Sequence, residues 1–226
     1  FAGLGLLERV GVQFHWSNRG YRDFDDFLDT FTARKRKMVR RERARIPAQG
    51  LRVEMLPGTA LGAGQWDFFY RMYQSTYRQR SGTGGYLTRD FFARIGATLG
   101  AQIALALAYA GSEPVAAALY LHDRERLYGR YWGSLRDYEC LHFELCYYQG
   151  IDFAIRRGLR WFDAGAQGEH KIARGFEPVE TWSLHWIRER RFAVAIADFL
   201  VRERAHIQRY VEEARSLLPY RTADGD

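Results

Sequence analysis

Cysteine is scarce in this chain: 226 residues hold two, Cys140 and Cys146. Six positions apart beside one predicted helix, they suit neither a zinc pair nor a disulfide framework, and reduced cytoplasmic thiols are the simpler reading. No apolar run approaches the roughly 20 residues of a membrane span, and no secretory signal pattern is present. The histidines are few and badly spaced for metal. His142, Glu144, Glu169, His170 and His185 are the conceivable ligands, yet no two histidines stand at i,i+3 or i,i+4, so no metal is expected. There is no internal repeat and no low-complexity tract beyond one basic segment. The chain begins at Phe1 rather than Met, from which we expect a piece of something longer.

What is present is enough for a folded domain. Hydrophobic residues make up 47%, ample for a core. The net charge of +7 has one source: Arg34 to Arg45 carries eight basic residues and one glutamate, and the remaining 26 basic and 26 acidic residues cancel. That segment is either a solvated helix face or a docking surface for phosphates of RNA, a nucleotide-linked substrate or lipid. It lacks interleaved aromatics, which argues against base stacking along a single strand.

Along the chain, Phe24, Phe27, Leu28, Phe31 and Met38 recur near the helical period and predict one long helix from Asp23 to Ile46, ended by Pro47. Leu51 to Leu56 alternates as a strand. Gln65 to Arg80 is helical with an aromatic stripe, and Thr88 is a natural N-cap for a helix from Arg89 to Leu99. Three strands follow, Gln102 to Tyr109, Pro114 to Leu121 and Arg126 to Trp132, the first two joined by a hairpin signal. Leu141 to Arg157 reads as a helix closed by Gly158, Leu159 to Phe162 as a short strand, and Thr181 to Ile187 as another. A final helix from Arg190 to about Leu218 is expected to bury Ile196, Phe199, Leu200, Ile207, Tyr210 and Val211. This order predicts an α+β fold: a mixed, mostly antiparallel sheet flanked by helices.

The stretch Leu141 to Pro178, LHFELCYYQGIDFAIRRGLRWFDAGAQGEHKIARGFEP, holds most of the candidate chemistry. Between Ala164 and Gly175 a loop sets Gln167, Glu169, His170, Lys171 and Arg174 among three glycines, as a backbone does where something approaches closely. A solvated turn is the plain alternative.

The order of elements resembles the GNAT acyltransferase fold. Three stretches, KRKMVRRERARIPAQGLRV, YRQRSGTGGYLTRDFFARI and the Leu141–Pro178 run, are similar to Fem-type peptidoglycan aminoacyl transferases and the predicted N-acyltransferases related to them. The resemblance implies a basic linker helix over 24–50, a GNAT-like acyltransferase domain over 51–219 and a tail at 220–226. Residues 1–23 would be the remnant of a preceding GNAT-like half. It further implies transfer of an acyl or aminoacyl group to an amine, with acyl-CoA or aminoacyl-tRNA as donor and a peptidoglycan precursor as a candidate acceptor. A tRNA would dock through Arg34–Arg45. Where acetyl-CoA enzymes carry a glycine-rich loop, this chain has Gly133 to Cys140, leaving Ser134 and Arg136 as donor-binding candidates.

Such a transfer needs a base for the ammonium, a donor for the oxyanion and a proton for the leaving group. Glu144 and His170 are the candidate bases, and Tyr147 a candidate acid. His142, Gln167, Glu169, Lys171, Arg174, Tyr131 and Trp132 are candidates for binding substrate, Lys171 and Arg174 by bracketing an anion. The rival reading is a binding module that recognises a peptidoglycan precursor or RNA without catalysis.

Overall fold

In a computed structural model, residues 5–166 and 168–221 are described. In chain order the elements are β1 (Leu7–Ser17), α1 (Phe24–Asp29), α2 (Ala33–Ala48), β2 (Leu51–Pro57), α3 (Ala63–Ser81), α4 (Arg89–Leu99), β3 (Ile103–Ala110), β4 (Glu113–His122) and β5 (Arg126–Ser134). A central helix follows in three parts: α5 (Leu141–Phe143), a π-helical turn (Glu144–Tyr148) and α6 (Gln149–Arg157). Then come β6 (Trp161–Asp163), a 3-10 turn (Glu169–Arg174), β7 (Glu177–His185) and α7 (Arg190–Ser216). The chain divides into two compact units, Phe1–His15 with Ala166–Pro219, and Trp16–Gly165 with Tyr220–Asp226.

The larger unit carries a sheet in the order β2-β3-β4-β5-β6. The first three pairings are antiparallel and β5–β6 is parallel, so the expected α+β class with a mixed, mostly antiparallel sheet flanked by helices is observed. Side-chain alternation gives the sheet two different faces. Ile103, Leu105 and Leu107 of β3, with Leu119 of β4, pack against Phe68, Phe69, Met72 and Tyr73 of α3 and Phe92 of α4. The intervening positions, Ala104, Ala106, Ala108, Ala116 and Ala118, are small and fully covered. Over that face lies the central helix, close enough for the Tyr120 hydroxyl to donate to the Leu145 carbonyl. Gly150 belongs to the same close approach, because a Cβ there would collide with the rings of Phe162 and Tyr120.

Thr88 caps α4 as expected, its Oγ1 accepting from Phe91 N at 3.2 Å. The single helix expected over Asp23–Ile46 is instead two. Asp23 caps α1, and the chain breaks at Thr30–Thr32, where Phe31 forms an antiparallel bridge with Tyr220 and their rings meet edge-on at 5.4 Å. Pro47 does not end α2 but sits in its last turn, where little remains to be hydrogen-bonded beyond it.

In the smaller unit β1 and β7 pair antiparallel from Leu7↔His185 to His15↔Glu177. Arg9 and Arg204 tie this strand pair to α7 through Glu203 and Glu8. Val211 and Ala214 are buried on α7, but Phe199 is half exposed, against expectation. The inward stripe runs through Ile196, Leu200, Ile207, Tyr210 and Val211 at helical spacing, the first four half-buried, and Phe199 lies at its edge. No helix among the described residues is long and apolar enough to cross a membrane.

Candidate active site

The site in the larger unit starts with strand β5. Its pairing with β4 slips between Ala118 and Leu119, leaving Tyr131 as the extra residue of a bulge with φ 45°. Bulges re-aim neighbouring side chains. Tyr131 goes to the α3/α4 face, its ring 4.9 Å from Tyr73 and its hydroxyl 2.9 Å from that of Tyr86. Burial, then the Tyr86 hydrogen bond, pushes its pKa upward. Burial likewise raises neighbouring Tyr77 to about 12. Trp132 goes to the other face, opposite Ala118. There its ring meets His142 at 4.9 Å, edge to face.

Gly133 lets α3 come down on β5: any Cβ would overlap the Met72 carbonyl. The contact is sealed by Thr76 Oγ1, which donates to the Trp132 carbonyl at 2.7 Å. Beside it a cleft of about 400 Å³ is lined by Thr76, Gln79, Arg80, Trp132, Ser134, Arg136, Asp137 and His142. Four residues singled out from the sequence, Trp132, Ser134, Arg136 and His142, thus come together in one cavity, and Tyr131 does not join them. Ser134 Oγ donates to the Arg136 carbonyl at 2.7 Å, and Arg136 Nε to the Tyr138 hydroxyl at 2.8 Å. Thr76, Gln79 and Arg80 were missed by sequence reasoning. The polar end of α3, YRQR, was the available signal.

Behind the cleft the central helix enters its π-helical turn, a geometry that often marks functional sites. Glu144 opens that turn and is 3% exposed. One carboxylate oxygen accepts from Arg43 Nη2 at 3.1 Å and from Gln149 Nε2 at 2.8 Å. The other, Oε2, has no hydrogen-bond partner among the described residues. Arg43 also stacks over Phe24 at 4.2 Å, and Glu42 accepts from the Tyr148 hydroxyl. Tyr147 is buried, its ring 5.3 Å from His142.

The basic segment is partly spent on the fold itself. Arg36, Arg40, Arg43 and Arg45 pair with Asp29, Asp25, Glu144 and Glu139. Arg34, Lys37 and Arg41 share one helical stripe, and Lys37 and Arg41 line a shallow basic depression with Arg36 and Arg40.

The smaller unit holds the polar loop. Gln167 lies outside the described residues. Gly168 and Gly175, with φ 114° and 86°, bound the 3-10 turn. Lys171 and Arg174, expected to bracket an incoming anion, are 1% and 5% exposed. Arg174 Nη1 donates to the His170 carbonyl at 2.6 Å. Glu169 accepts from the Tyr210 hydroxyl at 2.7 Å, and burial followed by that bond raises Tyr210 to about 12. His170 is exposed overall, yet loss of hydration around its ring, then the cations of Arg174 and Lys171, lower its pKa.

The whole arrangement has a family. Residues 1–222 match the FemAB-like family, described as peptidoglycan biosynthesis/recognition, and the chain belongs to it. Among solved structures it is similar to L-PGS from Bacillus licheniformis, with 12% identity and a TM-score of 0.57 over 86% of this chain and 67% of that one. It is similar too to the C-terminal domain of a putative lysylphosphatidylglycerol synthetase from Agrobacterium fabrum, with 13% identity and a TM-score of 0.55 over 88% and 67%. FemX matches at 14% identity and a TM-score of 0.48 over 69% and 53%. At these identities the first two likenesses are of fold. No curated protein matches the chain.

Proposed function

We propose that the chain is an N-acyltransferase that moves an acyl or aminoacyl group to an amine of a peptidoglycan precursor, with the chemistry in the Trp132–His142 cleft. The observation that carries this reading is the convergence there of two guanidinium groups, an imidazole and an aromatic floor. Arg80 and Arg136 suit the phosphates of either donor, aminoacyl-tRNA or acyl-CoA. His142 accepts a proton from the acceptor ammonium, and the freed amine attacks the acyl carbonyl carbon. The ester C–O or thioester C–S bond then breaks, and the leaving hydroxyl or thiol takes up a proton.

Glu144, one of the two bases suggested by the sequence beside His170, is assigned a positioning role, because its carboxylate is buried and held by Arg43 and Gln149. The stripe Arg34–Lys37–Arg41 is the part of the basic helix assigned to the tRNA backbone. Both donors are cytoplasmic molecules, which sets the proposed compartment.

The test is a transfer assay with each donor and an amine-bearing precursor, run on His142→Gln and Glu144→Gln. General-base loss lowers turnover by about 100-fold or more. The reading expects that loss in His142→Gln, with a smaller effect in Glu144→Gln. The opposite pattern returns the base to Glu144. Stabilisation by the precursor with no turnover from either donor would establish the rival, recognition without catalysis.

A further inference from the structure

The central helix is drawn down onto the alanine rows of β3 and β4, and this has an effect at the sheet edge. Val53, Met55 and Pro57 of β2 lie in register with Ala108, Ala106 and Ala104, so they face the same side as the central helix. The helix does not cover them. A groove of about 700 Å³ is left, lined by Val53, Met55 and Pro57 on one wall and Gln149, Asp152, Phe153, Arg156 and Arg157 on the other. Moreover β2 ends the sheet: β3 is its one strand neighbour among the described residues. Alternate backbone N–H and C=O groups of β2 therefore point away from β3, beside a trough whose β2 wall is apolar.

The charges of the groove favour one kind of occupant. Asp152 is taken by Arg156 at 2.8 Å. Arg157, its guanidinium 5.4 Å from the Phe153 ring, has no acidic partner among the described residues, so the groove carries one uncompensated positive charge. We propose that β2 and α6 form a docking site for an extended, carboxylate-bearing segment of another polypeptide. The segment adds as a strand to the free edge of β2, sets alternate apolar side chains on Val53, Met55 and Phe153, and offers its carboxylate to Arg157. Main-chain bonds supply affinity and the alternate side chains supply selectivity, as in other strand-addition sites. The proposal is independent of the transfer reaction.

The probe is a fluorescent, end-blocked six-residue peptide with valine at positions one and three, glutamate at five and threonine elsewhere. Binding to the 226-residue chain is followed by anisotropy and by amide shifts over Leu51–Pro57. We expect at least tenfold weaker binding when the glutamate becomes lysine, and the reverse preference in Arg157→Glu, whose exposed position leaves folding intact. Methylating alternate peptide nitrogens should abolish binding. Equal affinity for the two peptides, indifference to N-methylation, or no binding would each overturn the proposal. So would concentration-dependent self-association that shifts the same amides, because it would make a second copy of the chain the occupant.

Discussion

Two polar stretches of this chain look alike as sequence and meet different fates in the fold. The run from Ser134 to Glu144 and the loop from Glu169 to Arg174 are each crowded with charged and hydrogen-bonding residues. In the first, the groups that face outward, Arg136 and His142, line an open cleft, and the buried group is the carboxylate of Glu144. In the second, the long cations Lys171 and Arg174 are buried, and the exposed positions are Glu169 and His170. A side chain drawn into the interior and bonded there holds structure. One left on a cavity wall can meet a ligand. Composition does not distinguish the two.

The sharpest way to break the comparison is to remove the support behind the cleft. Arg43→Ala strands Glu144 as a buried carboxylate, and should cost about 3–5 kcal/mol of stability in chemical denaturation. A cost near zero would mean that Glu144 does not depend on Arg43. Next in size is the loop. Lys171→Ala empties a buried volume and should cost about 2–4 kcal/mol, with the donor affinity of the cleft unchanged. A stable Lys171→Ala protein that loses ligand binding would make the loop, not the cleft, the binding surface.

The smallest effect is a pH dependence. The His170 pKa is lowered in the fold, so the unfolded chain takes up a proton first as the pH falls below about 6.5. Above that value both states are neutral at this residue and no penalty exists. Below it, stability is lost until the pH passes the folded pKa. His170→Gln should therefore flatten the fall in melting temperature in this window. An unchanged slope would show that the ring titrates alike folded and unfolded.

Much of the larger unit was legible because its signals are local. The alternation of leucine and alanine in β3, the hairpin that joins it to β4 and the Thr88 cap each lie within a few consecutive residues. The break in the first helix was not legible. Phe24, Phe27, Leu28 and Phe31 continue a helical period, and what draws Phe31 away is Tyr220, nearly the length of the chain distant. The cleft was half legible: Trp132, Ser134, Arg136 and His142 stood out as polar or aromatic punctuation around a predicted helix start. Their meeting with Arg80 depends on Gly133 admitting α3, a contact that no spacing announces. Nor does any residue pattern mark Tyr131 as the bulge, since a tyrosine with positive φ is forced by the ladder around it.

The π-helical turn at Glu144–Tyr148 has a genealogical meaning as well as a local one. Such a turn is an α-helix that has accepted an additional residue, and its wider i→i+5 turn takes up the roughly 100° which that residue would otherwise add. Here the Gln149 N–H donates to the Glu144 carbonyl five residues back, and the two side chains meet across the same turn. Delete one residue between Glu144 and Tyr148 and the helix can regain an uninterrupted course, with Glu144 and Gln149 now four apart and still on one face. An aligned relative lacking one residue here can therefore keep the Arg43–Glu144–Gln149 arrangement, so a single gap in an alignment would mark the loss of the turn and not of this centre.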